Sequence, residues 1–118
     1  VDLPVSALRH PDLSTTVNRL RREGLGISID DVPLSSFHAL RGQLAAVNPD
    51  YVKVDVLEGI AHNVMARFNL AEGAVWCRDN DAVIVAERVE RHEDLVMLFD
   101  LGVDWAQGYS LSEPLVML

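Results

Sequence analysis

Acidic residues carry most of the chemistry available to this chain. Asp30 and Asp31 stand side by side after the β-branched run Gly26-Ile27-Ser28-Ile29. Lys53 and Asp55 flank Val54 in Tyr51-Val52-Lys53-Val54-Asp55. Glu87 closes Ala82-Val83-Ile84-Val85-Ala86, and Glu90 follows shortly after. Gln107 and Gly108 close Val103-Asp104-Trp105-Ala106. Neighbouring carboxylates can hold one or two divalent ions, because hard cations want oxygen ligands. Lys53 can position water or a phosphate, with Asp55 orienting it. Structural readings stay open for the same residues. Asp31 can cap the next segment while Asp30 meets a lysine, Lys53 and Asp55 can be an ion pair, and Glu87 with Glu90 can be a solvated pair. His10, His38, His62 and His92 have no metal-ligand spacing, and the single cysteine, Cys77, reads as a packed thiol.

These residues need elements that bring them together. Four apolar strand-like runs begin near 25, 51, 82 and 103, and helical patterns separate them. Serial strand–helix–strand order predicts a parallel α/β sheet with right-handed crossovers. Ligands gather at the carboxyl ends of such strands, so Asp30, Asp31, Lys53, Asp55, Glu87, Glu90 and Gln107 are expected at one rim. The first clear strand is expected at 25–31 and a loop at 32–36. A short strand within 1–8 leads the chain. Helices are expected at about 12–23, 35–46, 57–78 and 92–101. In the long third one Leu57, Ile60, Ala61, Val64, Phe68, Ala71 and Val75 are predicted to face inward, and Gly73 is a candidate break. Tyr51, Lys53 and Asp55 share one strand face and Val52 and Val54 the other. A polar face of this kind suits the interior of a barrel better than a flat sheet apolar on both sides.

Composition narrows the partners. The chain has 118 residues, 49% of them hydrophobic, enough for one packed domain or part of one. Its formal net charge is −8 and no basic cluster stands out, so a nucleic-acid polymer is a poor partner. An anionic ligand needs a metal or local donors to overcome that background. One cysteine excludes an intrachain disulfide and suits a reducing, cytoplasmic compartment. No apolar run nears the roughly 20 residues that span a bilayer, and no signal peptide is visible. The absence of an initiator Met is read as the mark of a fragment or a processed product.

Taken in order, Asp30-Asp31, Lys53-Val54-Asp55, Ala86-Glu87-Arg88-Val89-Glu90 and Gln107-Gly108-Tyr109 resemble the motifs of the EAL domain. That family comprises cyclic di-GMP phosphodiesterases on a modified TIM barrel. Its members typically read Asp-Asp-Phe-Gly, Lys-Ile-Asp, Ala-Glu-Gly-Val-Glu and Gln-Gly-Tyr. The likeness covers roughly 1–115 and corresponds to the C-terminal half of the domain. It implies parallel βα repeats forming half of a TIM-like barrel, with Asp30 and Asp31 as ligands of Mg2+ or Mn2+ if the site is functional. Lys53 would hold the attacking water, Glu87 would lie by the metal and water, and Gln107 would match the strand-end glutamine. Asp2, in Asp2-Leu3-Pro4-Val5, would replace a metal-binding glutamate, and Val5 a glutamate that anchors a loop.

Departures from the pattern set the functional expectation. Val32-Pro33-Leu34-Ser35-Ser36 is shorter than the family's Phe-Gly-Thr-Gly-Tyr-Ser-Ser loop and lacks its glycines. Arg88 replaces a glycine between the two glutamates. The Glu-Ala-Leu signature is absent from this chain. The resemblance therefore implies a degenerate EAL signalling module, catalytically inactive and regulatory or interaction-mediating. The alternative is a metal-dependent phosphodiesterase when joined to the N-terminal half. Cyclic di-GMP is the implied ligand. A homodimer, or packing against the other half of the barrel, is the expected assembly, because a half barrel exposes sheet edges.

Overall fold

The structure is a computed structural model that describes residues 1–56, 60–103, 105–106 and 115–116. Among them the strands are β1 (Asp2–Pro4), β2 (Ser28–Pro33), β3 (Tyr51–Asp55), β4 (Val83–Glu87), β5 (Trp105–Ala106) and β6 (Leu115–Val116). They form one sheet in sequence order. Each neighbouring pair from β1 to β5 is parallel, and β6 joins antiparallel. The helices α1 (Leu13–Arg22), α2 (Phe37–Val47), α3 (Val64–Asp79) and α4 (His92–Asp100) fill the connections. Short 3-10 turns cover Val5–Arg9, Leu34–Ser36 and Ile60–His62. This is the α/β repeat that the strand–helix alternation predicts.

One sheet face is apolar and lies under the helices. Ile29, Val32, Val52, Val54, Ile84 and Ala86 are buried there. Phe37, Leu44, Leu70, Ala74, Cys77 and Leu98 supply the buried helix side of the same core. Register places Asp55 beside Glu87, and Pro4 beside Asp30, on the opposite, polar face. The predicted split between a polar and an apolar face therefore holds.

Three expectations change. Strand β2 spans Ser28–Pro33, not 25–31, and continues past the paired aspartates. Its register with β3 jumps between Ile29, opposite Val52, and Val32, opposite Val54. Two residues, Asp30 and Asp31, thus oppose Lys53 alone, which is a β-bulge. Asp31 takes a left-handed φ of 57°, a conformation aspartate tolerates better than most side chains. The bulge restores the alternation, so Val32 is buried and the expected loop starts later.

The third helix is also phased differently. Leu70, Gly73, Ala74 and Cys77 face the core, while Val64, Phe68 and Val75 are exposed. Ile60 is buried, but in the turn Ile60–His62, so it is not part of the predicted helical stripe. Leu57 lies outside the described residues. Gly73 does not break the helix. A Cβ there would meet the Phe37 ring at 3.5 Å and Ile84 at 3.6 Å, so the glycine sits where α3 crosses α2 and β4 closely. The three remaining helices agree with expectation in place, and Val17, Phe37 with Leu44, and Leu98 are their most buried apolar residues.

Candidate functional site

Strand register builds the site. Asp55 and Glu87 are the last residues of β3 and β4 and lie side by side. Lys53 stands two residues deeper on the same face, opposite the bulge. Its Nζ lies 3.7 Å from Asp2 Oδ2 and 3.8 Å from Asp30 Oδ1. Ser28 Oγ donates to Asp30 Oδ1 at 3.1 Å and fixes that carboxylate from below. Arg88, at a left-handed φ of 63°, turns back across the strand ends, and its Nη1 lies 3.5 Å from Asp55 Oδ2.

Glu87 is the least comfortable member. Its Oε1 is buried and has no hydrogen-bond partner among the described residues. Burial raises its pKa above the ordinary 4.5, the nearby Asp30, Asp31 and Asp55 charges raise it further, and Lys53 opposes the rise. An acid in this state favours either a proton or a cation beside it.

The structure thus brings Asp2, Asp30, Lys53, Asp55 and Glu87 to one rim. Asp31 lies within electrostatic reach of Glu87, although it is exposed on the bulge. Glu90 is exposed, beyond the end of β4. Gln107 lies outside the described residues.

Among the described residues, no three carboxylate, imidazole or thiol groups converge as a ready cage for a metal. The donor chemistry still suits Mg2+ or Mn2+ at Asp30 and Glu87, because Mg2+ is commonly held by one or two carboxylates with water and ligand phosphate oxygens completing its shell. Asp55 is less suited, since Arg88 already balances it. A cleft of about 400 Å3 opens beside Asp55, lined by Pro33, Leu34, Asn63, Met65 and Asn69 among others.

Three positioning residues, Asp94, Arg67 and Asp50, are not apparent from the sequence. Asp94, buried on α4, accepts the Ala61 N–H at 3.0 Å and fixes the turn that follows β3. Arg67 donates to the Ala61 carbonyl at 2.9 Å from the other side. Asp50 Oδ2 accepts the Ile27 N–H at 2.8 Å and ties the approach to β2 to the start of β3. The only available signal was polar residues at helix and strand starts, which usually cap locally and here bond across elements.

Parallel βα repeats with acids and a lysine on the inner polar face define a barrel-type α/β protein with a charged rim. The chain belongs to the EAL domain family, whose model matches residues 1–114. It is 31% identical over 101 residues to the cyclic di-GMP phosphodiesterase PdeF of Escherichia coli K12, a match that covers 84% of this chain and 13% of that protein. The fold is similar to the PaMucR phosphodiesterase in its c-di-GMP complex, with a TM-score of 0.78 and 24% identity over 98% of this chain and 47% of that one. It is likewise similar to the Bacillus subtilis YkuI protein, which has an EAL domain and was solved with substrate c-di-GMP and calcium. There the TM-score is 0.77, at 20% identity over 99% of this chain and 28% of that one. The chain is thus an EAL sequence related to cyclic di-GMP phosphodiesterases and spans a small part of its curated relative's length. Among the described residues, no helix is long and apolar enough to cross a membrane.

Proposed function

We propose that the chain is the C-terminal part of a degenerate EAL domain that binds cyclic di-GMP at its rim and acts as a regulatory or interaction module without hydrolysing it. One observation carries this reading. Lys53, which matches the family's water-holding lysine in the Lys-Val-Asp motif, is engaged by Asp30 and, at a more exposed contact, by Asp2. A lysine spanning two carboxylates neutralises the charge that would draw a metal and is not poised on water. The loss of the loop glycines and the Arg88–Asp55 pair support the same reading.

The alternative is a metal-dependent phosphodiesterase in the complete domain, favoured by the unpartnered Glu87 Oε1. Asp30 and Glu87, with Asp31 from the bulge, would hold Mg2+ or Mn2+. A bound ion of this kind supplies water activation and phosphate charge neutralisation. Lys53 would then orient the ligand or water, and Glu87 would remain ionised.

Isothermal titration of cyclic di-GMP into the full-length protein, with Mg2+ or Mn2+ and then with chelator, tests both. Binding with no linear dinucleotide product supports the regulatory module. Turnover that stops on chelation supports the enzyme, and no binding in either condition removes both. We further propose that the outer edge of β1 packs against the rest of the barrel or a second copy. A 118-residue chain that sediments as a well-behaved monomer would count against that assembly.

A further inference from the structure

Arg88 is costly where it stands. Its φ of 63° lies in the left-handed region, where the family pattern carries glycine. A long side chain is strained there, and strain of this kind concentrates at functional sites. The Arg88–Asp55 contact does not explain the residue. The pair is 3.5 Å apart, with side chains 57% and 30% exposed, and a solvated ion pair contributes less than the backbone strain costs.

Charge placement gives the residue a use. Asp2, Asp30, Asp31, Asp55 and Glu87 make the rim repel an anionic ligand, and Lys53 is already held between two of those acids. Arg88 is more exposed than Lys53, and its described ion-pair contact is to one acid. The guanidinium fork has five donors, and its described contact to Asp55 is through Nη1, so it can meet a phosphate with paired donors. The guanidinium is also reachable, because the Arg88 side chain is more than half exposed.

We propose that Arg88 is the anion-binding residue of this rim: its guanidinium moves from Asp55 to a phosphate oxygen of the cyclic dinucleotide and lets the ligand bind without a divalent ion. This rests on the reading that the rim binds cyclic di-GMP. Asp55 acts as the resting counter-ion that Arg88 leaves. Removing Arg88 therefore weakens metal-free binding, whereas neutralising Asp55 releases the guanidinium and strengthens it.

The test is isothermal titration of cyclic di-GMP into the full-length protein in excess chelator, with Arg88→Gly and Asp55→Asn beside the wild type. Glycine suits φ 63°, so R88G should melt at or above the wild-type temperature, which separates lost binding from lost folding. The expected result is metal-free binding by the wild type, a weakening of roughly tenfold to a hundredfold in R88G, as fits a lost charge-assisted hydrogen bond, and equal or tighter binding in D55N. R88G binding within twofold of the wild type overturns the role of Arg88 and leaves the cyclic di-GMP reading standing. Wild-type binding that requires metal overturns it as well. A wild type that binds in neither condition removes both the proposal and the reading beneath it.

Discussion

Replacing Lys53 by Met tests whether the rim is held by charge. Methionine keeps most of the aliphatic stem and removes only the ammonium. That group lies 3.7 Å from Asp2 and 3.8 Å from Asp30, but the two contacts are unequal. The Asp2 side chain is 61% exposed, so solvent screens that pair almost completely. The Asp30 and Lys53 side chains are 26% and 23% exposed, so theirs is the effective pair. A gross attraction of about 4 kcal/mol at an effective dielectric near 20 is largely offset by lysine desolvation. A net loss of about 1–2 kcal/mol at neutral pH follows.

The loss should also depend on pH. Lys53 lowers the Glu87 pKa, so removing it raises that pKa further above the ordinary 4.5. A carboxyl group whose folded pKa is raised contributes stability below its unfolded value and loses it as pH rises through the folded value. The K53M deficit should therefore be small near pH 4 and grow towards pH 7. Urea denaturation of the 118-residue chain, followed by tryptophan fluorescence, measures the difference. A deficit of equal size at both pH values would refute the electrostatic account and leave only packing of the lysine stem.

Glu87→Gln should behave in the opposite sense: more stable than the wild type at pH 7, with the gain vanishing below the ordinary carboxylate value of 4.5, as read from the same urea curves. Losing the gain in a K53M background would be unexpected, since the lysine opposes the rise. Gly73→Ala should stabilise by roughly 0.5–1 kcal/mol, because alanine is the better helix former and the contacts waiting at 3.5–3.6 Å are of ordinary length; a destabilised variant would mean that α3 cannot accept even a methyl group there. Cys77 is buried and its thiol is pushed up to about 12, so a thiol-specific chromogenic reagent at pH 8 should leave the native chain unmodified and titrate one thiol once it is unfolded. Rapid reaction of the native chain would place Cys77 at the surface.

What could be read from the sequence was what period and order encode. Tyr51–Asp55 alternates polar and apolar residues without interruption, and β3 occupies those five residues. Val17 marks the inner face of α1 because that helix has one apolar stripe, Leu13, Val17 and Leu20. Helix α3 has two. Val64, Phe68 and Val75 make a stripe as apolar as Leu70, Ala74 and Cys77, and periodicity alone cannot choose between them. The choice is made by tertiary contact: the face that carries Gly73 lies against Phe37 and Ile84. The exposed Phe99 shows the same limit, since an aromatic side chain states a preference for burial and not a location.

The bulge at Asp30–Asp31 is where local reading and three-dimensional structure part most usefully. Two adjacent acids after an apolar run look like a strand end, and polar residues do end many strands. Here the chain absorbs the extra residue in a left-handed Asp31 and resumes pairing at Val32 opposite Val54. Without the bulge, simple alternation would put Asp30 on one face and Asp31 on the other while shifting Val32 and Pro33 out of step with the core. With it, Asp30 reaches Lys53 on the polar face, Val32 stays in the core, and Asp31 stands exposed within electrostatic range of Glu87. The same left-handed device recurs at Arg88 on the neighbouring edge of the rim. Of the four left-handed non-glycine residues among the described ones, Asn48 and Asp81 make the turns before β3 and β4, while Asp31 and Arg88 flank the charged cluster and serve the placement of charge.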